Sequence, residues 1–89
     1  MKTVKFFVGG RVQGVGFRYW VQTHAVTHDV DGYAKNLSDG RVEVLLQGEA
    51  YAVSQVSEAV RAGPVMSRVD HVEATDINVA SSYQGFVSC

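Results

Sequence analysis

Val4, Phe6 and Val8 alternate with Lys5 and Phe7, a period of two that predicts a strand over residues 3–9 with one buried face. The period then lengthens. Phe17, Val21 and Ala25 recur at i, i+4 and i+8, which predicts a helix from Arg18 to about His28. Two short runs, Asp31 to Leu37 and Arg41 to Gln47, flank Ser38-Asp39-Gly40. Asp-Gly between such runs predicts a hairpin closed by a type I′ turn, with positive φ at both central residues. Val42, Val44 and Leu46 share one face of its second arm. From Glu49 to Ala62 the spacing is helical again, with Ala52, Val56, Ala59 and Val60 as the apolar stripe. Gly63-Pro64 ends that helix, glycine taking the left-handed position and proline blocking continuation. Val69 to Ile77 reads as another strand, and Gly85-Phe86-Val87 as a short edge strand.

The order is strand, helix, strand, strand, helix, strand, with two crossovers around one hairpin. That order predicts an α+β, ferredoxin-like split βαβ sandwich: an antiparallel sheet of four to five strands with two helices on one face. The hairpin's first arm is expected beside the first strand, on its outer side. Its C-terminal half would then lie near the turn between the first strand and the first helix. Residues 1–89 are expected to form one domain, since a chain of this length builds one two-layer core and no more. No linker, low-complexity tract or solenoid repeat interrupts it.

Composition narrows the function classes. The chain is 46% hydrophobic and 19% charged, as in ordinary globular proteins. A net charge of −1 argues against a general nucleic-acid binder. The charge is unevenly placed: residues 1–41 hold six basic and three acidic side chains, residues 42–89 two and six. The first half therefore attracts small anions. The single cysteine, Cys89, has no internal disulfide partner, and no Cys/His set suits structural zinc. The apolar start is cut short by Gly9, Gly10 and Arg11, too early for a signal peptide, and no stretch is long enough to span a bilayer. A cytoplasmic location is the expectation.

Gly14-Val15-Gly16-Phe17-Arg18 is the candidate for chemistry. Glycines before a helix N-terminus leave backbone N–H groups free to converge on an anion, and the helix dipole favours negative charge there. Arginine adds a fork of charged donors shaped for phosphate oxygens. The segment is neither a P-loop, lacking Gly-Lys-Ser/Thr, nor a dinucleotide fingerprint, since Tyr19 stands where a third glycine belongs. Spacing alone is equally compatible with a tight strand-to-helix turn. Asn36 carries a similar pair of readings. It is a turn residue before the hairpin, or a carboxamide able to hold a water near the loop.

Gly10-Arg11-Val12-Gln13-Gly14-Val15-Gly16-Phe17-Arg18, followed by Gly32-Tyr33-Ala34-Lys35-Asn36-Leu37-Ser38-Asp39-Gly40-Arg41-Val42-Glu43-Val44, resembles the two signature blocks of the acylphosphatase family. The likeness covers nearly the whole chain, with Gly63-Pro64, Val69, Val72 and Gly85-Phe86 fitting the later pattern. It implies hydrolysis of the carboxyl–phosphate bond of acyl phosphates, without metal, cofactor or covalent intermediate. Carried over, Arg18 and the backbone N–H groups of Gln13, Gly14, Val15, Gly16, Phe17 and Arg18 hold the phosphoryl oxygens, and Asn36 orients the attacking water. The implied partner is a small acyl phosphate, with no nucleic acid or membrane, and a monomer suits the size. The departures are Asp29, where the family commonly has glycine, His28 for a usual leucine, and Ser88 for a large aliphatic. They bear on stability more than on activity. A phosphate-binding regulatory module without hydrolysis is the alternative.

The remaining candidates carry less. His24 and His28 stand i, i+4, but no third metal ligand accompanies them. Asp70 and His71, as neighbours on a strand, point to opposite faces and form no dyad. Phe6, Phe7, Phe17, Trp20 and Tyr33 raise the possibility of RNA stacking. Val42-Glu43-Val44-Leu45-Leu46 is the wrong chemistry for an exposed stacking strand, so these aromatics read as packing residues. No Gly-x-Ser-x-Gly supports a serine nucleophile. Cys89 reads as exposed and prone to oxidation.

Overall fold

The structure, a computed structural model, describes residues 1–78 and 81–89. Seven elements follow in order: β1 (Lys2–Arg11), α1 (Phe17–Thr27), β2 (Asp31–Asn36), β3 (Val42–Gly48), α2 (Ala50–Ala62), β4 (Arg68–Asp76) and β5 (Phe86–Ser88). Each sits within one or two residues of its sequence expectation.

The strands form one sheet in the order β4-β1-β3-β2-β5. β1 pairs antiparallel with β3 and β4, and β2 antiparallel with β3. The fifth strand departs from the expected antiparallel sheet: β5 joins the outer edge of β2 in parallel. The chain reverses after β4, so it returns in the direction that β1 and β2 share. A strand laid on the free edge of β2 must then run alongside it.

A second correction concerns the hairpin. Its first arm does not flank β1; the second arm does, and β2 lies one strand further out. The register sets Asn36 opposite Val42 and Val42 opposite Val8, so Asn36 and β1 are about 10 Å apart across the sheet. The turn differs as well. Gly40 has φ 95°, but Asp39 does not have positive φ, so this is not type I′. Leu37 N–H donates to Arg41 O at 2.8 Å and Gly40 N–H to Leu37 O at 3.2 Å. This is the three-residue loop, a tight turn followed by one glycine at positive φ.

The core lies between the sheet and the two helices. Val4, Phe6 and Val8 from β1, with Val42, Val44 and Leu46 from β3, meet Phe17, Val21 and Ala25 of α1 and Val53, Val56 and Val60 of α2. On α2 the buried stripe runs through Val53, while Ala52 is only half-buried at its side. Trp20 joins the helices, its indole N–H donating to Ala59 O at 2.8 Å. His24 of α1 and His28, its C-cap, are half-buried, and His24 packs its ring against Trp20 with centroids 4.4 Å apart. On the other sheet face, Leu45 is buried and Gln47 holds the return segment, donating to Ser81 O at 3.2 Å and accepting from Tyr83 N–H at 2.8 Å. No helix among the described residues is long and apolar enough to cross a membrane.

Candidate functional site

Where β1 runs out, its pairing with β4 slips between Gly9 and Gly10 and leaves Asp70 bulged. Gly10 sits at φ 123°, and a Cβ there would lie 2.2 Å from Arg68 O, so only glycine allows this approach. The bulge bends the strand end and aims the following loop. Gly14 and Gly16 then take φ 74° and 79°, conformations that L side chains avoid. A Cβ at either would meet nothing within 4 Å. Glycine is used here for backbone shape and for a clear surface.

The two helix starts differ in a telling way. α2 is capped by its own Glu49, whose side chain accepts from Ala52 N–H at 3.3 Å. α1 starts on Gly16 with no side-chain cap. The N–H groups of Phe17, Arg18 and Tyr19 therefore have no intrahelical acceptor. Among the described residues, no backbone or side-chain acceptor takes an N–H from Val12 to Tyr19 either. The end of the dipole and a row of free donors face the same space.

That space is a cavity of about 160 Å3 floored by Val12 and Phe17 and walled by Gly14, Gly16, Arg18, Tyr19 and Ser88. Arg18 forms no ion pair with a side-chain carboxylate among the described residues. Its Nη1 donates to the carbonyl oxygen of Cys89, and Cys89 N–H donates to Ala34 O at 2.8 Å. The guanidinium is thus steadied from the end of β5, with its other donors left over for an anion.

Asn36 lies at the last position of β2, exposed, and on the same face as the buried Gly32 and Ala34. That is the helix side, where α1 begins. The bridge between this hairpin end and the loop is Gln13. Its carboxamide donates to Leu37 O at 2.8 Å and to Arg41 O at 2.9 Å. One side chain therefore ties the anion loop to the residue next to Asn36. The structure brings Gln13, Gly14, Val15, Gly16, Phe17, Arg18 and Asn36 to one end of the sheet. The clamping role of Gln13 and the carbonyl of Cys89 escaped sequence reasoning, because both act on or through main-chain atoms. Tyr19, on the cavity wall, was visible only as a residue interrupting a glycine pattern.

A larger, shallow groove of about 390 Å3 lies on the opposite sheet face, against Tyr33, Lys35, Tyr83, Val87 and Cys89. β5 separates the two spaces, since Val87 alternates with Ser88 along the strand. Tyr33 OH donates to Glu43, which also lies 3.7 Å from Lys5 Nζ. His71 is exposed, and Asp70 pairs with Arg68 at 2.9 Å instead.

Residues 4–88 match the family model described as Acylphosphatase. An acylphosphatase of Chromohalobacter salexigens is 56% identical over 72 residues, covering 81% of this chain and 80% of the relative. One from Bacillus velezensis is 47% identical over 77 residues, 86% of each chain. The crystal structure of acylphosphatase from Bacillus subtilis superposes with a TM-score of 0.95 at 38% identity, covering 100% of this chain and 99% of that one.

Proposed function

The chain belongs to the acylphosphatase family, and on that premise we propose that it hydrolyses acyl phosphates at the α1 N-terminus, with Arg18 and Asn36 as the catalytic residues. The single observation that carries the reading is the uncapped start of α1, a set of free N–H groups beside a guanidinium that pairs with no side-chain carboxylate among the described residues. A substrate phosphoryl group takes the place that Glu49 takes at α2.

In this reading the N–H groups of Gln13 to Arg18 and the free donors of Arg18 bind the three phosphoryl oxygens. Phosphoryl transfer asks mainly for positioning and positive charge, and the loop supplies both. Asn36 accepts a hydrogen bond from one water and aims the water oxygen at phosphorus, opposite the acyl oxygen. The new P–O bond forms as the bond to the acyl oxygen breaks, and its electrons leave with the carboxylate. A phosphate oxygen takes the proton that the water gives up. The products are a carboxylate and inorganic phosphate, and the charge that a metal would supply comes from Arg18 and the helix end. We read the protein as one acylphosphatase unit over residues 1–89. A monomer is enough, since loop, arginine and asparagine come from one chain. A cytoplasmic setting suits its single unpaired cysteine.

The test is carboxylate release from benzoyl phosphate with EDTA present. Turnover that survives EDTA and is lost in Asn36→Ala is the expected result. No turnover by folded wild-type protein would leave a phosphate-binding module instead.

A further inference from the structure

The mechanism accounts for the phosphate half of the substrate and leaves the acyl half without a partner. The cavity wall settles the choice by elimination. Val12 and Phe17 belong to the core, each 1% exposed. Gly14 and Gly16 carry no side chain, and Arg18 and Ser88 present polar groups. Tyr19 remains, a large aromatic side chain that is 73% exposed. Its neighbours on α1 are already engaged: Trp20 with Ala59 O, and Gln22 with Phe86 O at 3.2 Å. Tyr19 is the third residue of the helix, where the Cα–Cβ bond tilts toward the N-terminus. The side chain therefore starts toward the same helix end whose N–H groups face the cavity, and it lines that cavity.

We propose that Tyr19 is the acyl-group platform of this site, the residue that sets how far an aromatic or bulky acyl group is favoured over a small one. The inference rests on the acylphosphatase reading. Once phosphate is gripped by the loop, the acyl oxygen fixes where the rest of the substrate emerges. An exposed ring at that lip adds contact area and, for an aromatic acyl group, offset stacking. A two-carbon acyl group reaches little of it.

The test compares kcat/KM for benzoyl phosphate and acetyl phosphate in wild type, Tyr19→Ala and Tyr19→Phe. Tyr19→Ala should lower the benzoyl-to-acetyl ratio about 5- to 20-fold, and Tyr19→Phe should restore most of it, since the ring and not the hydroxyl makes the contact. The Tyr19 side chain is exposed, so its truncation spares the core, and equal falls on both substrates would mark a structural role and overturn the proposal. A ratio within about twofold of wild type would overturn it too, while leaving the acylphosphatase reading intact. Wild-type protein that hydrolyses neither substrate would overturn both.

Discussion

Arg18 and Asn36 meet different demands of the proposed reaction, and their variants should separate accordingly. Arg18 holds the anion in ground state and transition state alike, so Arg18→Ala should weaken competitive inhibition by inorganic phosphate by about 10- to 100-fold. Asn36 acts on the water, so Asn36→Ala should leave phosphate inhibition nearly intact while kcat falls on the order of 100-fold. Steady-state kinetics with phosphate as inhibitor separates the two; matching kcat losses with unchanged phosphate affinity in both variants would contradict the division. Gln13 has a third role. Gln13→Ala removes two hydrogen bonds to Leu37 O and Arg41 O in a half-buried spot, at a cost of about 1–3 kcal/mol. It also unties Asn36 from the loop, so kcat should fall along with the urea midpoint. A loss of stability with normal kcat would show that the clamp does not position the hairpin. The glycines, Arg18 and Asn36 were legible in the sequence because their residue types carry the chemistry. The clamp was not, because its acceptors are carbonyls 24 and 28 residues away, which no side-chain pattern encodes.

At the scale of elements, α1 is exposed to strain at both ends. It begins uncapped, and it closes on Asp29 at φ 58°, the non-glycine residue with positive φ among those described. Val30 N–H donates to Ala25 O at 2.8 Å and Asp29 N–H to Val26 O at 3.2 Å, the paired closure that requires a left-handed residue between. Asp29→Gly should therefore stabilise the fold by about 0.5–1 kcal/mol, read as a higher urea midpoint with unchanged slope. A lower midpoint would mean that the carboxylate makes a contribution larger than the backbone strain. The elements themselves were readable because amphipathic periodicity is local: Phe17, Val21 and Ala25 all proved buried. The hairpin turn was misjudged because Asp39 turns its carboxylate onto Arg41, accepting from its backbone N–H at 3.0 Å and from Nε at 2.8 Å. Those bonds suit a negative φ at Asp39 followed by Gly40 at positive φ.

Across the whole molecule, sheet order was the least legible feature. Nothing in the residues of β2 says that β3 separates it from β1, since strand adjacency depends on how both crossovers pack at once. The open face of the sheet adds a pH dependence. Burial, then the hydrogen bond from Tyr33 to Glu43 and the negative charge on Glu43, push the Tyr33 phenol well above its ordinary value of 10.0. Because the folded value is the higher one, this contribution is complete below pH 10.0 and is lost as pH rises past it, the unfolded chain releasing its proton first. The urea midpoint should fall more steeply between about pH 9 and about pH 11 in wild type than in Tyr33→Phe. Parallel slopes would remove Tyr33 from the cause. A last consequence follows from the carbonyl of Cys89 resting on Arg18 across a separation of 71 residues. The anion loop follows the first strand, and the strand end that steadies its arginine lies 71 residues further along. Contacts so far apart in sequence form late in folding. Refolding protein should regain helix and buried aromatics before it regains hydrolysis, so the rate of substrate turnover counts finished molecules only.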